Sequence, residues 1–399
     1  MRVLLLHSPY RQAGGEDTVV AAEAALLAGA GHEVRVVQRP NQATVRAGAA
    51  LLAAPWNPAA ARLVRRELAA WRPDVCHVHN TWFSLSPAAP ATASRAGVPV
   101  VSTLHNYRLV CADALLFRDG RPCEDCLAGS PWQGLRHRCY HGSLSQSALV
   151  TLTTASGRRA VWDRGVDAFL VYSEFAMRRF LAGGLPAARL RLRPNFTADP
   201  GERPLPPSAS RRVVFAGRLT AVKGVAQLLE AWRAAAPSGL QLAVIGDGPM
   251  RRALQERVPP GVCFLGQLSR EALLEELSSA RALVFPSLCF EAGQPMVLLE
   301  AMAAGVPVLA SDRGGAAELV GEDGWGVRVA AGDTRAWATA LSALADDGWV
   351  DRAGALGRGR YLSAHTPAHG LASLEDAYRW AISRRELAAA GAGAAGAAG

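Results

Sequence analysis

Short unbroken runs of Val and Leu recur along the chain, with longer Ala- and Leu-rich stretches between them. In the first half the runs are Arg2–His7, Glu33–Val37, Asp74–His79, Pro99–Leu104 and Ala168–Tyr172, and the longer stretches include Thr18–Ala30 and Ala59–Trp71. The second half repeats the theme with Arg212–Ala216, Leu240–Ile245, Val262–Leu265, Ala282–Pro286, Val306–Ser311 and Gly326–Val329. A strand covered on both faces reads as a continuous apolar run, whereas one with a wet face alternates. Such runs alternating with helices predict an α/β fold in two units, each a parallel sheet with helices on both faces. Asp199–Ser210 (DPGERPLPPSAS) is rich in Pro and Ser, carries no period and reads as an interdomain linker. The chain then divides into a first domain over 1–197, a linker over 198–210, a second domain over 211–365 and a C-terminal helix over 366–388. Ala389–Gly399 holds only Ala and Gly and reads as a disordered tail.

Composition adds limits. At 399 residues the chain exceeds what one core organises. Half the residues are apolar and 19% are charged, which suits a large buried core and excludes a disordered chain. The longest apolar runs, such as Ala280–Pro286 and Val306–Ala310, fall far short of the roughly 20 residues of a membrane span. Met1–His7 is too short for a signal peptide, so the expected compartment is the cytoplasm. The net charge is +9, and residues 1–200 hold 23 Lys+Arg against 14 Asp+Glu, while the remainder is balanced. That asymmetry fits either an Arg-rich solvated surface or peripheral contact with an anionic membrane face. Few aromatics interleave with the arginines, which argues against nucleic acid as a partner. No G-x-G-x-x-G follows the first run and no P-loop occurs, which argues against a dehydrogenase or a kinase.

All but one of the 43 basic residues are Arg, and the exception is Lys223. It lies in Phe215-Ala-Gly-Arg-Leu-Thr-Ala-Val-Lys-Gly224, where a strand ends, Gly217 frees the backbone, and Arg218 and Lys223 precede a helix. A forked cation, a point cation and a helix N-terminus together suit a diphosphate. Ile245-Gly-Asp-Gly-Pro249 places Gly246 in a tight turn after a strand, and Phe264-Leu-Gly-Gln-Leu268 places Leu268 where backbone groups reach a nucleobase edge. The richest segment runs from Pro286 to Pro307. There Glu291 follows a strand, Gly293 and Pro295 shape the entry to a helix, and free N–H groups are expected near Gln294, Met296 and Val297. Glu300 sits on that helix among Val, Leu, Ala and Met, where a carboxylate needs a partner; ribose or sugar hydroxyls supply one reading, a structural ion pair the other.

Gly-Arg-Leu…Lys-Gly, Gly-Asp-Gly-Pro, Pro-Ser, the paired glutamates and Glu-Ala-Met-Ala-Ala-Gly-Val-Pro-Val resemble the retaining glycosyltransferases of family 4, also called group 1. The likeness covers nearly the whole chain and is most specific over 212–319. It implies the GT-B architecture, two Rossmann-like domains facing each other across a deep cleft. It further implies a nucleotide-sugar donor of UDP, GDP or ADP type, a glycan, lipid-linked or small-molecule acceptor, and no catalytic metal. By position, Arg218 and Lys223 hold the diphosphate, Glu300 the ribose, and Glu291 faces the transferred sugar with Gly293, Gln294, Pro295 and Met296 around it. Gly14 and Gly15, after the first strand, admit phosphate or acceptor, His105 lines the sugar pocket, and Asn195 in Arg-Pro-Asn also fits. The family has seven residues between its glutamates and this chain has eight. The resemblance therefore carries the role of Glu300 more directly than that of Glu291.

Cys111, Cys123, Cys126 and Cys139 are spaced C-x11-C-x2-C-x12-C within an insertion over 106–142. The readings are a structural zinc, reduced thiols packed in a loop, or a disulfide or redox use. Cys76, Cys263 and Cys289 lie in or beside strands and read as small core residues. Three competing functions accompany the retaining transferase. An inverting transferase would use His7 as base, a sugar-nucleotide epimerase would need no acceptor, and a basic zinc-containing binding protein would leave the second-half loops unexplained.

Overall fold

A computed structural model describes residues 1–10, 14–41, 54–157, 162 and 165–397. Its strands in chain order are β1 (Arg2–His7), β2 (Glu33–Gln38), β3 (Val75–Val78), β4 (Val100–Thr103), β5 (Phe117–Arg118), β6 (Arg121–Pro122), β7 (Ala168–Val171), β8 (Leu190–Leu192), β9 (Arg212–Ala216), β10 (Gln241–Ile245), β11 (Val262–Gly266), β12 (Ala282–Phe285), β13 (Val308–Ser311) and β14 (Gly326–Val329). The chain forms two compact units, one of residues 1–116, 123–193 and 371–399, the other of 117–122 and 194–370.

The first unit carries a six-stranded sheet in the order β2-β1-β3-β4-β7-β8, all parallel. Strand order reverses between β1 and β3, and in such sheets ligands bind beyond the carboxyl ends at that reversal. Val3, Leu5, Val75, Val101, Ala168 and Leu170 form a core face against Leu374, Ala377, Tyr378 and Ala381. Those four lie on the helix Pro367–Ala397, so the end of the chain returns to the first sheet. Residues 389–397, expected as a disordered tail, continue this helix, as alanine's high helix propensity favours. Ala398 and Gly399 lie outside the described residues.

The second unit has the order β11-β10-β9-β12-β13-β14, again all parallel, with its reversal between β9 and β12. Alternate residues of each strand feed opposite cores. Val214, Ala216, Ala243, Ile245, Leu283 and Phe285 pack on one face, and Val213, Phe215, Leu242, Val244, Ala282 and Val284 on the other. Both faces are covered, which is why the strands read as unbroken apolar runs. Asp199–Ser210 is not the junction between units. The chain passes from one unit to the other at Arg193–Pro194, and the Pro-rich segment is tied within the second. Ser208 donates to Asp351 from its N–H (2.9 Å) and hydroxyl (2.7 Å), and Arg358 grips Asp199 at 2.6 and 3.0 Å. Cys263 is exposed rather than core, because β11 is an edge strand. Cys76 and Cys289 are buried as expected.

Candidate functional site

The reversal point of the second sheet is built from three loops that only glycine allows to meet. Gly217 N–H donates to Ile245 O at 3.0 Å, and Leu219 N–H to Asp247 O at 2.9 Å. A Cβ on Gly246 would lie 2.0 Å from Gly217 O, and one on Gly248 would lie 2.5 Å from Leu219 O. Gly246 is thus required by the neighbouring loop. After the turn Ala221–Lys223, Gly224 takes φ +70 and opens the helix Val225–Ala235. A Cβ there would stand 2.0 Å from Pro286 O. Leu288 N–H closes the same contact on Val222 O at 2.8 Å.

This approach seats Lys223 against the loop that follows β12. Its Nζ donates to Glu291 Oε1 at 2.6 Å, and Ser287 Oγ donates to the same oxygen at 2.7 Å. Burial pushes the Glu291 carboxyl up, but the Lys223 ammonium and the Ser287 hydroxyl outweigh it and leave the group below the usual carboxylate range. Burial lowers Lys223, Glu291 more than restores it, and the ammonium ends above its ordinary value. The Glu291 backbone is fixed from the other side. Gly315 N–H donates to Glu291 O at 2.8 Å, and a Cβ on Gly314 (φ +66) would overlap Glu291 N at 2.5 Å. Arg218 is exposed and its side chain has no partner among the described residues. No side chain caps the helix Val225–Ala235, so its first N–H groups are open beside Lys223.

Glu300 is buried on the helix Met296–Ala303, and its protein partner is Arg270, whose Nη1 lies 2.7 Å from Oε1. Burial raises this carboxyl against the pull of Arg270. Of the two readings of Glu300, the structural ion pair is present. Pro295 is the N-cap of that helix, again with no side-chain cap. Gln294 Oε1 accepts the Asn195 N–H at 2.8 Å, and Asn195 Nδ2 donates to Met296 Sδ at 3.2 Å. Gln294 and Met296 therefore spend their side chains on Asn195, leaving backbone as what they offer a ligand. Gly293 lies in the bend before Pro295. Leu268 packs its side chain on the core beside Ser269, the N-cap of the next helix.

In the first unit, three histidines gather where strand order reverses. His7 ends β1, His79 follows β3 and His105 follows β4. His7 Nε2 and Asp17 Oδ1 are 2.8 Å apart, and Asp17 Oδ2 accepts the Gly14 N–H at 2.8 Å. Among the described residues no atom lies within 4 Å of a Cβ built on Gly14 or Gly15. His79 Nδ1 and His105 Nε2 are 3.0 Å apart. Burial, with His7 and Arg193 nearby, pushes His105 down to about 3, so it is neutral at physiological pH. His79, Trp82, His105, Asn106, Arg108 and Trp162 line a cavity.

Cys126 has Cys111, Cys139 and Cys123 as neighbours, and burial together with these thiols pushes it up to about 12. Backbone N–H groups of Leu116, Asp113 and Ala114 aim at the Cys111 sulfur. Among the described residues the group whose ligand atoms all fall within 4.8 Å is instead Glu23, His77 and His79.

Sequence reasoning quoted Ser287 within the Pro-Ser motif but gave it no role, and it missed Arg270, Gly314 and Gly315 around the second site and Asp17, Glu23 and Arg193 in the first. Arg313-Gly314-Gly315 after β13 repeats the strand–glycine–helix signal used for Gly217 and could have been found by it. Arg270 and Arg193 carry no such signal among so many arginines.

The chain matches the family model described as glycosyl transferases group 1 over residues 210–347. It matches the glycosyl transferase 4-like domain over residues 14–195. It is 29% identical over 267 residues to a sulfoquinovosyl transferase of Arabidopsis thaliana, a match covering 64% of this chain and 46% of that protein. The chain thus spans about half that relative's length. It is 27% identical over 391 residues to a glycogen synthase of Mycobacterium tuberculosis, covering 87% and 86%. Among solved structures, Anabaena HepE in complex with UDP-glucose superposes with TM-score 0.66 at 16% identity, covering 94% and 99%. No helix of the described residues is long and apolar enough to cross a membrane.

Proposed function

Because the chain belongs to the glycosyl transferases group 1 family, with a glycosyl transferase 4-like domain ahead of the group 1 domain, we propose that it moves a sugar from a nucleoside diphosphate donor to a glycan or lipid-linked acceptor, with retention of configuration. The observation that carries this reading is Lys223, paired to Glu291 at 2.6 Å beside an uncapped helix N-terminus at the strand-order reversal of the second sheet. A diphosphate leaves with growing negative charge. Lys223, the unpaired Arg218 and the open N–H groups stabilise that charge where it develops. Glu291, released from Lys223 as the phosphate takes over the ammonium, faces the sugar. Glu300, held by Arg270, accepts ribose hydroxyls on its remaining lone pairs. UDP is the first donor base to test, since HepE is described with UDP-glucose. The excess of arginine in residues 1–200 is what favours an acceptor side at an anionic surface.

Calorimetry with UDP, GDP and ADP identifies the base. Glu300→Gln should then weaken the preferred nucleotide by about 1–3 kcal/mol, the scale of hydrogen bonds to a charged group. Unchanged affinity would remove Glu300 from the ribose site. Proton NMR of the first-formed product reads the anomeric configuration, and inversion would overturn the retaining assignment.

For the insertion we propose a structural zinc held by Cys111, Cys123, Cys126 and Cys139. What supports it is the gathering of three thiols on Cys126 and the N–H groups aimed at the Cys111 sulfur, which offset part of the upward push of burial on that thiol. Among the described residues no three of these sulfurs lie within 4.8 Å of one another, so the metal would draw them inward. Four protein ligands leave no open position, so the ion would be structural. Elemental analysis of protein purified without a metal-affinity tag should give one zinc per chain. A metal-free, active preparation would leave four reduced thiols.

A further inference from the structure

Beneath His105 lies a buried polar chain that no step of the proposed reaction uses. Glu23, on the helix Gly15–Gly29, and Arg193, just after β8, are both almost wholly buried, with Oε1 and Nη2 2.8 Å apart. Burial pushes the Glu23 carboxyl up to about 7 even with Arg193 beside it, but leaving that guanidinium without an anion would cost several kcal/mol, which favours the ionised carboxylate. Its other oxygen, Oε2, lies 3.4 Å from His79 Nε2. The two atoms are close without forming a hydrogen bond, and a negative oxygen at that distance favours the His79 proton on Nε2 over a lone pair there. His79 Nδ1 then carries the lone pair, and at 3.0 Å it accepts from His105 Nε2. His105 Nδ1 is left as an acceptor. The Tyr172 hydroxyl stands 3.5 Å from it, a long contact that a hydroxyl at ordinary distance would displace.

We propose that Glu23 and His79 are positioning residues that hold His105 as the Nε2-protonated tautomer, so that Nδ1 is presented as acceptor to a substrate hydroxyl. His105 and His79 line the same cavity as Asn106 and Arg108, which is where such a hydroxyl would lie. The identity of the hydroxyl as a sugar's rests on the proposed transferase function; the tautomer does not. Glu23, His77 and His79 also have a metal-compatible spacing, but both His77 nitrogens are taken, Nδ1 by Tyr378 OH at 2.8 Å and Nε2 by Thr103 Oγ1 at 2.7 Å. Arg193 already supplies the positive charge an ion would bring.

The test is long-range proton–nitrogen NMR on the free full-length protein labelled with 15N-histidine, assigned with His105→Gln. Wild type should show His105 protonated on Nε2 alone. His79→Asn sets an amide oxygen where Nδ1 was and should keep that tautomer. His79→Leu and Glu23→Gln should release it to a mixture. Nδ1-protonated His105 in wild type, or a spectrum indifferent to His79→Leu, overturns the proposal. Stoichiometric zinc uptake that shifts His77 and His79 together, with the four cysteines already saturated, overturns it in favour of a metal site. Should Glu23→Gln fail to fold, the His79 pair of variants still decides. The spectra need no substrate, so a held tautomer without sugar transfer would fault the proposed function and leave this inference standing.

Discussion

Under the proposed function, Lys223 and Glu291 form one ion pair that serves two states of the site. Free of donor, the two neutralise each other at 2.6 Å, with Ser287 on the same oxygen. Their side chains are 26% and 19% exposed, buried enough for the pair to resist solvent screening and open enough for a phosphate to reach the ammonium. The depressed Glu291 carboxyl and the elevated Lys223 ammonium set the sign of the pH dependence. A carboxylate with a lowered folded value stabilises above its unfolded value and loses that contribution as pH falls through the folded one. Lys223, raised, contributes below its unfolded value and loses it on the alkaline side. Urea unfolding should therefore find wild type more stable than Glu291→Gln at pH 7, with the gap closing only below the ordinary carboxylate range. A double-mutant cycle with Lys223→Ala should give a coupling of about 0.5–3 kcal/mol. A gap unchanged down to strongly acidic pH would mean the pair contributes nothing. The sole lysine drew attention to this point in the sequence, but its counter-ion and the serine behind it became visible only when loops 64 and more residues apart met.

At the level of elements, glycines that look alike in the sequence have different reasons. Gly224 combines φ +70 with a Cβ position 2.0 Å from Pro286 O, so any side chain pushes the two switch-point loops apart. Gly14 has neither feature: its φ is −143 and no atom of the described residues stands within 4 Å. Gly224→Ala should cost at least the roughly 1–2 kcal/mol of a left-handed residue and more for the overlap with backbone. Gly14→Ala should cost no more than about 1 kcal/mol, because Gly14 is the N-cap of the helix Gly15–Gly29 and alanine caps less well than glycine. If Gly14→Ala nevertheless lowers turnover at unchanged Tm, the space in front of that helix belongs to a ligand; unchanged turnover removes Gly14 from the site. The central strands were legible because burial on both faces leaves unbroken runs. The edges were not. Arg189-Leu190-Arg191-Leu192-Arg193 at β8, the edge of the first sheet, is interrupted by arginines, and a search for continuous runs passes over it. Cys263 was misassigned to the core at the β11 edge of the second sheet.

For the molecule as a whole, the order of the chain and the order of its units differ. Residues 194–370 complete the second unit, and the helix that begins at Pro367 then returns to close the core of the first. Local periodicity shows that this helix exists but cannot say which sheet it covers, because its apolar stripe would fit either. Leu374, Tyr378 and Ala381 have no exposed surface at all, and Tyr378 also carries the hydrogen bond to His77 under the histidine cluster. Burying a large apolar side chain is worth about 1.5–3 kcal/mol, so losing Leu374 and Tyr378 together removes a large part of the 5–15 kcal/mol that typically separates a domain from its unfolded state. Ending the chain after Gly370 should therefore unfold the first unit, seen by calorimetry as the loss of one transition, while the second unit keeps its nucleoside diphosphate affinity. Removing only residues 390–399 should leave both transitions in place, since the core residues of this helix among those described end at Ala381. Tyr378→Phe separates the two contributions of that residue. It keeps the ring in the core, withdraws the hydroxyl from His77 Nδ1, and should cost about 1–3 kcal/mol for the buried nitrogen left without a partner. If the chain ending at Gly370 melts like wild type, the helix is an ornament on the first sheet and the return of the chain has no part in its stability.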